Sequence, residues 1–144
     1  VYLIVAGEDY SKADFVFVRP PGLKRTSKAQ EREFWVARIL EVRAIDAQHV
    51  YALCAWLYWP EQLQRAHVGR EAPENGRRAY HGKHELMASN HLDVCDVTSF
   101  AGHAPVEQWL EEDDNDVQTG LYWRQIYDIR SGNLSVRIHA RTEL

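Results

Sequence analysis

The segment FWVARILEVRAIDAQHVYALCAWLYWP, residues 34–60, decides the fold. It holds two runs dense in β-branched and aromatic residues, separated by Asp46-Ala47-Gln48. Phe34–Ile45 reads as a long strand, Asp46–Gln48 as a turn, and Val50–Trp59 as the next strand, antiparallel to the first. Side chains on a strand alternate faces, so Trp56 and Tyr58 share one face with Ala52 and Cys54. Leu53, Ala55 and Leu57 line the other face, and this set is the better core candidate. Such a hairpin sets the start of one strand opposite the end of the other. Trp35 is therefore expected near Trp56 and Tyr58.

The flanking chain has the same character. Val1–Ala6 and Asp14–Arg19 read as short strands, the second stopped by Pro20-Pro21-Gly22. Leu23–Glu33 reads as a polar loop, with a helical turn over Glu31–Phe34. Pro60 opens a short helical turn, and Arg65–Arg78 is a polar loop with Pro73 and Asn75-Gly76. Glu85–Ser89, Asp93–Thr98, Val106–Leu110 and Leu121–Ile129 read as further strands, with a tight turn at Ser131-Gly132-Asn133. The last dozen residues read as a strand or an extended tail. The expectation is one all-β domain over residues 1–144, a twisted, partly open β-barrel with short helical insertions. A start on Val1 leads to the further expectation of a fragment of a longer protein.

Hydrophobic residues make up 45% of the chain, an ordinary globular share that argues against disorder. The formal net charge of -4 argues against a dedicated nucleic-acid binder and suits a basic partner. Two cysteines, Cys54 and Cys95, spell neither a disulfide framework nor a zinc ribbon. Free buried thiols in a reducing compartment are the expectation. No apolar run is long enough to span a bilayer, and no signal peptide is visible.

The aromatics at 35, 56 and 58 have two readings. Strand aromatics are usually core or cross-strand packing, and the residues alone put that reading first. The sharper reading is a cage for a methylated ammonium. A trimethylated lysine keeps its charge but has no N–H to donate. Ring faces must then hold it by cation–π attraction and methyl contact, about 0.5–2 kcal/mol per ring.

The ordered set DFVFVRP (14–20), FWVARILEV (34–42), WLYWPE (56–61), GRRAYHGKHEL (76–86), SNHLDV (89–94) and YWRQIYD (122–128) resembles the bromo-adjacent homology (BAH) domain. The nearest likeness is to plant and fungal chromatin readers of histone H3 trimethylated at lysine 27. The resemblance implies a methyl-lysine cage of Trp35, Trp56 and Tyr58, with His91 and Asp93 holding the adjoining peptide. Plant readers usually carry Tyr where this chain has Trp35, and Arg where it has Trp59. The loop over 65–74 is longer here.

Other constellations are weaker. His81, His84, His91, Asp93, Cys95 and His103 crowd one region without metal-ligand spacing, so neither a metal nor any cofactor is expected. Cys95 lacks an oxyanion turn or nucleophile elbow, so no enzyme is expected. Glu111–Asp116 reads as a solvated acidic loop, or as a docking patch for a basic tail. Trp109, Tyr122, Trp123 and Tyr127 read as packing. Lys24, Arg25 and Lys28 read as a solvated loop, with a weak salt-sensitive DNA contact as the functional alternative. The expected function is a nuclear, non-enzymatic reader of the histone H3 tail on the nucleosome, acting in Polycomb-type repression. The alternatives are a reader of dimethylated histone H4 or H3 lysine 9, and a structural interaction module with no cage.

Overall fold

The computed structural model describes residues 2–5, 7–23, 29–63, 82–109 and 120–136. Ten strands occur among them: β1 (Tyr2–Val5), β2 (Glu8–Ser11), β3 (Phe15–Val18), β4 (Trp35–Asp46), β5 (His49–Tyr58), β6 (Glu85–Asp96), β7 (Phe100–His103), β8 (Glu107–Gln108), β9 (Tyr122–Tyr127) and β10 (Leu134–Val136). The only helical pieces among the described residues are single 3-10 turns at Glu31–Glu33, Pro60–Gln62 and Val97–Ser99. The fold class is all-β, as the sequence leads one to expect. No helix among the described residues is long and apolar enough to cross a membrane.

The chain forms two compact units, and β5 and β6 each pass from one to the other. The first comprises residues 1–56 and 92–104. Here the strand order is β5-β4-β3-β7, with β1 and β2 as a separate antiparallel pair. The long strands β4 and β5 are joined through Ala47-Gln48, a link short enough only for an antiparallel pair. Asp46 fixes this turn. Its Oδ1 accepts the Gln48 amide at 2.8 Å and the His49 amide at 2.9 Å. On β3, Val16 and Val18 point inward and oppose Ala37 and Trp35 of β4. On the other side of β3, Phe17 faces Gly102 of β7. Tyr10 closes this core, edge-on to Phe100 at 5.3 Å and stacked on His103 at 4.7 Å.

The second unit comprises residues 57–91 and 105–144. Its strand order is β10-β9-β6, with β8 also on β9. β6 and β9 run parallel, from Glu85 opposite Tyr122 to Ser89 opposite Tyr127, with a shift between Leu86 and Met87. Leu63, Met87 and Tyr127 form a buried cluster, with Tyr58, Ile129 and Leu134 packed on it. Glu85 is wholly buried, yet it is satisfied four times over. Its carboxylate takes Arg124 Nε at 2.9 Å and Nη2 at 3.3 Å, the Tyr122 hydroxyl at 3.2 Å and the Gly82 amide at 3.0 Å. Arg124 also lies over the Trp109 ring at 4.9 Å. Gly82 has no room to change, since a Cβ there would sit 2.0 Å from the Tyr122 hydroxyl.

Several sequence expectations need correction. Residues 85–96 form one unbroken strand, not two. β2 and β7 are additional strands. Ala55 and Leu57 are buried as expected and Leu53 is half-buried, but the face of Ala52, Cys54 and Trp56 is buried as well, so β5 is covered on both sides. Tyr122, Trp123 and Tyr127 are buried, in line with the packing reading. The basic residues 24, 25 and 28, the loop over 65–78 and the acidic run over 111–116 lie outside the described residues.

Candidate functional site

In the first unit, β4 begins at Trp35 and β5 carries Trp56 two residues before its end. The two indoles meet edge to face, with centroids 5.4 Å apart and planes at 82°. Trp35 is 37% exposed and Trp56 is 7% exposed. One ring is thus seated in the unit and the other stands over it toward solvent. Perpendicular aromatics at this spacing give each ring a favourable edge-to-face contact. They also present two differently oriented π surfaces to a cation. Asp93 belongs to this unit too. It is exposed, and its Oδ1 accepts the Val94 amide at 2.8 Å.

In the second unit, Tyr58 ends β5 and is half-buried. Its hydroxyl shares a hydrogen bond with His91 Nδ1, and the two rings lie nearly parallel, 6.2 Å apart with planes at 16°. Its edge meets Tyr127 at 6.4 Å and 88°. The His91 amide donates to Ser89 Oγ at 3.2 Å. Tyr58 is therefore held on two sides, by a polar bond at its tip and a ring at its flank.

Trp35, Trp56, Tyr58, His91 and Asp93 all lie among the described residues. Trp35 and Trp56 are brought together, as the hairpin argument requires. Tyr58 and His91 are brought together by a bond that no local pattern announces, since they lie far apart in the chain. His91, read as a peptide contact, has a side-chain partner within the fold. Among the described residues, no group of three or more His, Cys, Asp or Glu side chains is arranged to hold a metal ion. A second pairing missed by sequence reasoning is that of Cys54 and Cys95, free thiols buried on the neighbouring strands β5 and β6, each perturbing the other's ionisation.

Fold and side chains together define an all-β module that displays a half-open aromatic pair. The chain belongs to the BAH domain family, whose profile matches residues 8–133. It is 31% identical over 88 residues to chromatin remodeling protein EBS of Arabidopsis thaliana, a match covering 55% of this chain and 33% of that protein. The match thus spans about a third of that relative. Among solved structures, the BAH domain of yeast Rsc2 superposes with a TM-score of 0.65 at 14% identity. That superposition covers 94% of this chain and 53% of the other, and at such identity the likeness establishes the fold.

Proposed function

We propose that this module is a non-enzymatic chromatin reader, working in the nucleus, that binds a methylated lysine of a histone tail. Histone H3 trimethylated at lysine 27 is the first choice, which would set the module in Polycomb-type repression. Trp35 and Trp56 are two walls of the cage. Tyr58, on the strand face of Trp56 by alternation, is the third. Asp93, exposed and anionic, suits the basic peptide beside the mark. His91 is the second peptide residue of the family likeness. Membership of the BAH family and the likeness to a chromatin remodeling protein support the chromatin role.

The observation that carries the cage reading is the perpendicular Trp35–Trp56 pair with Trp35 open to solvent. A methylammonium has no hydrogen to donate, so π faces are the chemistry that can recognise it. Calorimetric titration of trimethylated and unmodified H3 peptides tests it. The trimethylated peptide should bind with a dissociation constant on the order of micromolar, and at least about tenfold tighter, or about 1.4 kcal/mol. Trp35→Ala is the useful variant, because the exposed indole can be removed with the fold intact. It should abolish that preference; an unchanged preference sinks the cage.

Trp56 itself favours a second reading. At 7% exposure it is chiefly a packing residue. A structural interaction module would bind modified and unmodified tails alike. A tighter grip on dimethylated H4 or H3 lysine 9 peptides would instead reassign the mark.

A further inference from the structure

We propose that Cys54 and Cys95 are a redox-modification site, a dithiol that a peroxide-class oxidant converts into an intramolecular disulfide. Both residues lie in the first unit, Cys54 on β5 and Cys95 on β6, strands that are neighbours in the sheet. β5 leaves the first unit where β6 enters it, and Tyr58 of β5 is bonded to His91 of β6, so four residues back along one strand and four on along the other bring Cys54 and Cys95 to the same level of the strand pair. Adjacent strands lie about 4.8 Å apart. A disulfide spans Cα separations of about 4.4–6.8 Å, so cross-strand partners need little backbone movement to be linked.

Exposure and acidity assign the same residue as the attacking thiol. Cys54 has no exposed surface and Cys95 has 8%. The neighbouring Cys54 thiol holds Cys95 below its usual range, against burial and the nearby Asp93 carboxylate. Cys95 in turn, with burial added, pushes Cys54 far up. Cys95 is thus the more accessible thiol and the one whose acidity is favoured.

The chemistry balances. The Cys95 thiolate attacks one peroxide oxygen, the O–O bond breaks, and the departing hydroxide takes a proton to become water. Cys95 is left as a sulfenic acid. The Cys54 sulfur then attacks the Cys95 sulfur, the S–O bond breaks, and the Cys54 proton leaves with the hydroxide as a second water. Two thiols lose two electrons and two protons, and the peroxide is reduced to water. An external thiol reverses the link by exchange.

The test uses the whole chain, reduced, desalted and exposed to hydrogen peroxide. Intact mass should fall by about 2 Da. Both thiols should disappear together from alkylation counts, the product should stay monomeric on a non-reducing gel, and dithiothreitol should restore it. Cys54→Ser should stop at a sulfenic acid on Cys95, trapped by dimedone, and Cys95→Ser should leave the remaining thiol slow to react. Stepwise oxygen addition with no mass loss, or a link between two chains, overturns the proposal; dimedone capture on Cys54 in Cys95→Ser at the wild-type rate overturns the assigned order. Cys54 lies two residues before Trp56 on the same strand face, so link formation should also shift tryptophan emission reversibly. Because the link is read by mass, it stands or falls independently of what Trp35 and Trp56 bind.

Discussion

The Tyr58 hydroxyl and His91 imidazole are the pair whose roles mutation separates most cleanly. If His91 acts by holding the Tyr58 ring, its removal matters only while that hydroxyl is present. If His91 grips peptide directly, its removal matters in either background. A double-mutant cycle of Tyr58→Phe and His91→Ala should show this in two readouts. In unfolding free energy the two changes should be coupled by about 1 kcal/mol, the worth of one net hydrogen bond. In affinity for the trimethylated peptide, His91→Ala should cost several-fold alone and almost nothing in the Tyr58→Phe background. Additive affinity losses would return His91 to the peptide. Glu85 makes a second residue-scale case. It is a buried carboxylate whose partner Arg124 remains 21% exposed. Glu85→Ala removes four hydrogen bonds and strands a guanidinium against Trp109. Urea unfolding should show a loss of about 3 kcal/mol, the scale for breaking a buried pair.

At the scale of elements, the link from β2 to β3 carries visible strain. Ala13 has φ 75, a left-handed conformation that alanine disfavours by about 1–2 kcal/mol. It is held because its amide donates to the Ile39 carbonyl at 2.8 Å, tying the link to β4. Ala13→Gly relieves the clash and gives back part of that gain as chain entropy. Thermal unfolding should therefore report a net stabilisation of about 0.5–1 kcal/mol. Element-level patterns also explain what the sequence disclosed. β4 and β5 were legible because β-branched residues, period two and a polar turn agree over Trp35–Tyr58. The unbroken strand β6 runs straight through Asn90, a residue type that favours turns. Here Asn90 works at a distance: its amide donates to Asp128 at 3.0 Å and its carbonyl oxygen accepts the Ile129 amide at 2.8 Å. β2 is Glu-Asp-Tyr-Ser and β7 is Phe-Ala-Gly-His, sequences with weak strand propensity that acquire their state from partner strands. For the candidate site, Trp35 and Trp56 followed from one hairpin. The Tyr58–His91 and Cys54–Cys95 pairs depend on which distant strands meet, and no local periodicity encodes that.

Across the whole molecule, the acid limb of stability should be set at turns. Asp46 is held below its ordinary value first by the Gln48 amide, Asp96 first by the Thr98 amide, and Asp128 first by the Asn90 side chain. A depressed native pKa adds stability that is fully present above the unfolded value, about 3.9, and is lost as pH falls through the native values. The melting temperature should thus be insensitive to these groups near neutrality and decline below about pH 4. Replacing all three with Asn should flatten that decline; an unaltered acid limb would assign it to other carboxylates. The parallel β6–β9 pairing has a consequence for how the chain is made. The β4–β5 strands are contiguous and can zip as soon as both have left the ribosome, whereas β6 must wait for β9, with all of residues 97–121 intervening. Until Tyr122–Tyr127 is synthesised, one long edge of Glu85–Ser89 stays uncovered, with Leu86 and Met87 available to any neighbouring nascent strand. The interval between those two moments of translation is when this polypeptide most needs a chaperone.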